Sequence, residues 1–320
     1  MTGGPGKLSG TGAYGNEMKT VSKQKRQAGR AGKYAAGIAI LAAVLAVAGL
    51  LFLRHKDGKY SVTQYASVTG RQAMIYTITD REGHLVVIDG GWREDAGQLL
   101  SIINEQHDGH VDAWILTHPH PDHIGAFNEI YASGQVEIDK IYTVPVDYEI
   151  YKGKAQEWDE FSVYEEFVRL TEGEADMSFL REGEILDLIG LKMEVFHSFD
   201  SQQMAEVKDP CNDGGMIFRL STERESMLFL ADVGVGQSDY ILNQYGERLK
   251  SDYVQMGHHG NGGMDERVYQ KISPREAFFD IPEGMMQDER LNAGEKRALM
   301  DSLGAKIHYY ATAPNVIKLK

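Results

Sequence analysis

Beyond residue 60 the chain alternates short apolar runs with turn residues, the spacing of strands rather than of long helices. Tyr60–Val68, Ala73–Thr79 and His84–Ile88 read as three strands, the last two joined by the hairpin Asp80-Arg81-Glu82-Gly83. After Asp89-Gly90-Gly91, apolar positions at Leu99, Leu100, Ile102 and Ile103 predict a helix over Ala96–Gln106. Val111–Leu116 is the next strand, followed by a helix over Ile124–Tyr131, a strand over Lys140–Val144 and an acidic amphipathic helix over Trp158–Thr171. Strands are expected at Leu186–Phe196, Gly215–Leu220, Ser226–Ala231, Tyr253–Met256 and Lys306–Thr312, with a helix over Asp239–Tyr245. Strand pairs interleaved with helices predict two sheets covered by helices, hence one α/β domain over residues 55–320.

The first fifty-odd residues follow a different rule. Ala35–Leu53 is uninterrupted by charge and about as long as a helix needs to cross a bilayer. Lys19, Lys23, Lys25, Arg26, Arg30 and Lys33 precede it, so the positive-inside bias places the N-terminus in the cytoplasm and the domain outside. The expected organisation is a basic disordered tail over 1–33, a membrane helix over 34–54 and the extracytoplasmic domain beyond. A cleaved secretory signal is the competing reading, because Ala46-Val47-Ala48 resembles a cleavage site. The anchor is preferred because the apolar run continues through Leu53.

Composition sharpens this picture. The 320 residues carry a formal charge of −14, but residues 1–56 hold nine Lys and Arg against Glu17 alone, which leaves the remainder at −22. An acidic body repels polyanions and argues against tight binding of long nucleic acid. The lone Cys211 excludes an internal disulfide. Gly90-Gly91 and Gly260–Gly263 lack the spacing of phosphate-binding loops, so no nucleotide cofactor is expected.

The strand Val111–Leu116 delivers Thr117-His118-Pro119-His120-Pro121-Asp122-His123. Neutral imidazoles and a carboxylate so closely spaced are metal ligands by type, and the two prolines hold His118 and His120 on a rigid turn. Other acids and histidines share the strand-end position: Asp89 after Leu85–Ile88, Asp232 after Met227–Ala231, and His258 and His259 after Tyr253–Gly257. Loops at one sheet edge could gather all of them. His55, His84, His107, His110 and His308 lack that context and read as surface residues.

His118, His120, Asp122 and His123 match every defined position of the motif of metallo-β-lactamase-fold hydrolases, and the resemblance spans nearly all of residues 60–320. Within that family the chain looks most like the hydrolase domain of the competence DNA-uptake membrane protein. The shared features are Ile88–Gly91, Asn212-Asp213, Leu230–Asp232 and Met256–Gly260. The resemblance implies a four-layer αββα sandwich holding two divalent metal ions, Zn2+ before Mn2+. By position, His118 and His120 would bind the first and Asp122 and His123 the second. Asp232 would bridge them, His258 (preferred over His259) would complete the second site, and Asp89 would orient ligands from behind. The family's further histidine upstream of the bridging aspartate is missing; Asn212 and Asp213 stand there, with His197 further back. Gln72, beside Arg71, replaces an acid of the competence-type loop. The activity implied is hydrolysis by a metal-held hydroxide positioned by Asp122, on a phosphodiester such as nucleic acid or a smaller phosphate ester. Phosphorylcholine-type esters, β-lactam amides, or a silent tethered binding protein with a structural metal are the alternatives.

Overall fold

The computed structural model describes residues 1–2, 58–311 and 313–320. The expected membrane helix over 34–54, and the basic tail but for its first two residues, lie outside the described residues. Among the described residues no helix is long and apolar enough to cross a membrane.

Residues 58–320 form one compact unit built on two seven-stranded sheets. The first runs, in spatial order, Asn315–Leu319, Tyr60–Gln64, Ile75–Thr79, Leu85–Asp89, Ala113–Ile115, Ile141–Thr143 and Met177–Phe179. The second runs Lys306–Tyr310, Glu276–Pro282, Tyr253–Gln255, Ser226–Phe229, Ile217–Ser221, Leu191–His197 and Ile185–Leu188. A strand buried on both faces must be apolar at every position, and period-two alternation then decides which layer each residue joins. Val86 and Ile88 point between the sheets, where they meet Met193, Val195, Phe218 and Phe229 of the second sheet. Leu85 and Val87 point outward onto Leu99, Ile103, Phe127 and Ile130 of the covering helices. The second sheet repeats the arrangement, with Leu228, Val254 and Phe279 packed under Ile241, Val268, Ile272 and Met300. Two inner sheets and two outer helix layers make the αββα sandwich.

Register sets what the strand ends carry. Leu85–Asp89 runs parallel to Ala113–Ile115, with Val87 opposite Trp114, so Asp89 and Thr117 emerge at the same edge. Ser226–Phe229 runs parallel to Tyr253–Gln255, with Phe229 opposite Gln255, so Asp232 and the His258-His259 pair also emerge together. Pro121 opens the helix Pro121–Ser133, three residues earlier than expected. Proline lacks only an N–H that the first helical turn leaves unbonded, so it starts a helix well. Asp122 and His123 therefore sit in a helical first turn, while His118 and His120 lie on the extended segment before it.

Candidate metal centre

The centre is assembled from six chain segments, and much of its backbone is strained. Asp89 (φ +53°), Ala231 (φ +48°), His258 (φ +51°) and His259 (φ +57°) are left-handed residues without being glycine. Such conformations persist when surrounding structure over-determines them, and they gather at functional sites. Here Gln255 Oε1 accepts from the amides of Leu230 and Ala231 at 2.9 and 3.0 Å, and His258 N donates to Ala231 O at 2.8 Å. These bonds lock the turn that presents Asp232.

Outer carboxylates fix His123 and His120 and a hydroxyl fixes His118, and their placement assigns the tautomers. Asp89 is fully buried and accepts from Thr117 N, Thr117 Oγ1 and His123 Nδ1, each at 2.7 Å. His123 therefore turns the lone pair of Nε2 inward. His120 donates from Nε2 to Asp159 Oδ1 at 3.0 Å, which leaves Nδ1 facing inward. His118 Nδ1 lies 3.2 Å from the Thr117 hydroxyl, so its Nε2 faces inward as well.

The inward atoms converge. His118 Nε2 and His120 Nδ1 stand 3.2 Å apart, and His123 Nε2 and His259 Nε2 3.3 Å apart. His259 Nε2 is 3.1 Å from both Asp122 Oδ2 and Asp232 Oδ2, and Asp232 reaches His123 Nε2 at 3.4 Å and His118 Nε2 at 4.0 Å. These separations suit edges of a coordination shell whose bonds are about 2.0–2.2 Å long. Asp232 Oδ1 is buried without a hydrogen-bond partner, and the imidazole nitrogens crowd in pairs at 3.2 and 3.3 Å, positions from which they can share a bound cation. The donor set therefore fits divalent metal: His118, His123 and Asp232 form one group, and Asp122, His123 and His259 another.

Electrostatics agree. Burial disfavours charge on Asp122 and Asp232, but adjacent imidazoles, His259 foremost, outweigh it and hold both carboxyls below the ordinary range. Burial likewise opposes a proton on His259, yet Asp232 and Asp122 lift that imidazole to about 10.

The two histidines after Tyr253–Gln255 part company. By sequence the expected ligand is His258, which follows the strand directly. The left-handed turn instead buries His259 in the cluster and leaves His258 about a third exposed, its Nε2 3.7 Å from Asp232. His197 and Asp213 are not brought in: His197 Nε2 bonds the carbonyl of Asp213 at 2.7 Å, and Asp213 Oδ1 accepts from Gly234 N at 3.1 Å. Asn212, beside them, does face the centre, with Oδ1 buried and unpartnered. Asp159 and Asp280 carry no sequence signal. Asp280 receives Gln64 Nε2 and Tyr76 Oη at 2.6 Å and Gln255 Nε2 at 2.9 Å, which braces the residue holding the Asp232 turn.

The centre floors a cleft of about 470 Å³ walled by Arg71, Gln72, Trp92, Trp158, Asn212, His258 and Met285. Gln72 Nε2 lies 3.4 Å from Asp122 Oδ2, and Arg71 stacks over Trp92 at 3.7 Å while pairing with Glu94.

No curated protein sequence matches the chain. Among solved structures, CmlA, a diiron β-hydroxylase from Streptomyces venezuelae, aligns over 81% of this chain and 54% of its own, with 14% identity and a TM-score of 0.50. The metallo-beta-lactamase fold protein YhfI from Bacillus subtilis covers 81% of this chain and 99% of its own at 13% identity and a TM-score of 0.49. Igni18, a metallo hydrolase from Ignicoccus hospitalis, covers 82% and 100% at 14% identity and a TM-score of 0.46. At such identity the likeness to CmlA concerns the fold alone. The profile of the metallo-beta-lactamase superfamily matches residues 68–240, more than half of the chain. Fold, ligand geometry and profile agree: the chain belongs to the metallo-beta-lactamase superfamily.

Proposed function

We propose that this protein is a membrane-anchored hydrolase that cleaves a small phosphodiester with the help of two divalent metal ions, Zn2+ before Mn2+. The anchor is the apolar segment 34–54, with the N-terminus cytoplasmic and the domain outside. The observation that carries the reading is the pairing of His118 Nε2 with His120 Nδ1 and of His123 Nε2 with His259 Nε2 around Asp232. His118, His120 and Asp232 would hold the first ion, and Asp122, His123, His259 and Asp232 the second. Bound divalent ions supply water activation near neutral pH and stabilise charge developing on a phosphoryl oxygen.

The chain's own groups do the rest. Asp122, reached by Gln72, orients the attacking water. Asp89 and Asp159 keep His123 and His120 in the required tautomers. The Arg71 guanidinium at the cleft wall offers a planar fork for a phosphoryl oxygen, and Asn212 and His258 line the same cleft. Cleft size and the acidic body favour a small diester over long nucleic acid. Trp158 in the cleft wall is 64% exposed, which suits a leaving group with a cationic or aromatic face, such as a choline-phosphate-type ester.

The test loads the full chain with zinc and assays bis-p-nitrophenyl phosphate, a choline-phosphate ester, plasmid DNA and nitrocefin, with and without chelator. Chelator-sensitive diester cleavage, abolished in His120→Ala, is expected. Full metal occupancy with turnover of nitrocefin alone, or of nothing, overturns it. Protease added to whole cells should remove the domain; protection would refute the topology.

A further inference from the structure

The strands that end at the metal centre begin, at the opposite edge of the sheet, beside a second set of imidazoles and carboxylates. The helix Ala96–His107 stops at His107, and Asp108 (φ +49°) and Gly109 (φ +83°) reverse the chain through two left-handed residues. That reversal returns His110 and Asp112 to the helix end. The His107 and His110 rings meet with centroids 4.7 Å apart, and His107 Nδ1 faces Asp112 Oδ2 at 3.5 Å. One ligand atom from each of the three residues lies within 4.8 Å of the other two.

Two further observations separate this group from an ordinary surface ion pair. His107 Nδ1 is buried and has no hydrogen-bond partner, an orphan aimed at a carboxylate. Asp139 Oδ1 lies 2.9 Å from His110 Nε2, as outer carboxylates do when they fix a ligating imidazole. All three side chains are partly exposed, so an ion has a path in from solvent.

We propose that His107, His110 and Asp112 form a separate site for a borderline divalent ion such as Zn2+, independent of the proposed catalytic centre. Two imidazoles and one carboxylate, completed by water, match the ligand preferences of that ion. The site is a clamp. Asp112 Oδ2 also accepts from Leu85 N at 2.7 Å, so an ion here ties the helix end to the start of Leu85–Asp89 and of Ala113–Ile115. Those strands carry Asp89 and the His118–His123 motif roughly 13 Å away, at about 3.3 Å per residue. An ion that binds only the folded chain raises its stability in proportion to the logarithm of its concentration.

The experiment uses the tag-free full chain in detergent, stripped by chelator and reloaded with zinc. Elemental analysis should find one zinc equivalent fewer in His107→Gln/His110→Gln than in the wild type, with diester cleavage retained. The zinc-induced rise in Tm should shrink in the same variant. An unchanged equivalent count overturns the proposal. Histidine footprinting of the wild-type chain covers the case in which the variant misfolds: zinc should protect His107 and His110, and full reactivity at saturating zinc also overturns it.

Discussion

Replacing Asp89 by Asn tests the centre through one oxygen. The carboxylate accepts Thr117 N on Oδ1, and Thr117 Oγ1 and His123 Nδ1 on Oδ2, all at 2.7 Å. In the variant the amide oxygen keeps Thr117 N, and the amide nitrogen faces the other two donors. The Thr117 hydroxyl can rotate and accept instead. His123 can accept only by moving its proton from Nδ1 to Nε2, the atom 3.3 Å from His259 Nε2 and 3.4 Å from Asp232. A protonated Nε2 is no ligand. Loss of such an outer carboxylate costs about 10–100-fold in metal affinity, or roughly 1.4–2.8 kcal/mol at 1.4 kcal/mol per tenfold.

The same substitution should barely alter the metal-free fold. Burial raises the Asp89 pKa, against the favourable pull of His123, so a neutral isostere relieves a buried charge while weakening two hydrogen bonds. We expect metal-free stability to stay within about 1 kcal/mol of wild type. Competition against a fluorescent chelator measures affinity, and urea unfolding of chelated protein measures stability. Wild-type affinity in Asp89→Asn would refute the assignment of His123 through Nε2. A large stability loss with proportionate metal loss would reduce Asp89 to a purely structural residue.

His259→Ala should lose one metal equivalent and at least about 100-fold in kcat/KM, whereas His258→Ala should retain both metals; the reverse pattern in elemental analysis would restore the strand-adjacent histidine as ligand. Gly260→Ala places a Cβ 2.1 Å from Phe279 Cδ1 at φ +86° and should cost about 2–4 kcal/mol in urea unfolding, with a loss under about 1 kcal/mol showing that Phe279 can retreat. Glu194 is buried, which opposes its charge, but Arg219 and Arg248 at 2.8 and 2.6 Å outweigh burial and hold its carboxyl below the ordinary 4.5. Its contribution is full above pH 4.5 and fades as pH falls through the lowered value. Glu194→Gln should therefore unfold about 1–3 kcal/mol more easily at pH 7 and converge on wild type in acid, and a constant difference across that range would exclude the ion-pair origin.

What the sequence discloses here depends on how local each determinant is. His118, His120, Asp122 and His123 were legible because four ligands fall within six residues, and strand-end placement then drew in Asp89 and Asp232. Period-two burial on both faces made most strands legible as apolar runs. Glu276–Pro282 escaped, since Asp280 and Pro282 interrupt its apolar pattern; Asp280 is tolerated inside only because Gln64, Tyr76 and Gln255 all donate to it. Asn315–Leu319 escaped as well, being an edge strand recruited by pairing with Tyr60–Gln64 across nearly the whole domain.

The residues that the sequence could not sort are those decided by one or two dihedral angles. His258 and His259 are chemically identical neighbours, and only left-handed φ values at both send the second inward and the first to the cleft wall. Asn212 and Asp213 share one helical turn, Pro210–Asp213, and divide by face, one lining the cleft over the centre and the other holding Gly234. Asp159 reaches His120 from 39 positions away, on a short turn where its Oδ2 also accepts from Gln156 N at 2.9 Å. A ligand's chemistry is thus written in its residue type, whereas its tautomer and aim are written in partners supplied from elsewhere in the fold. If that division holds, substitutions of Asp89 and Asp159 should separate metal affinity from fold stability. Substitutions at Ala231 or Gly260, which set the aim of Asp232 and His259 through the backbone, should lose both together.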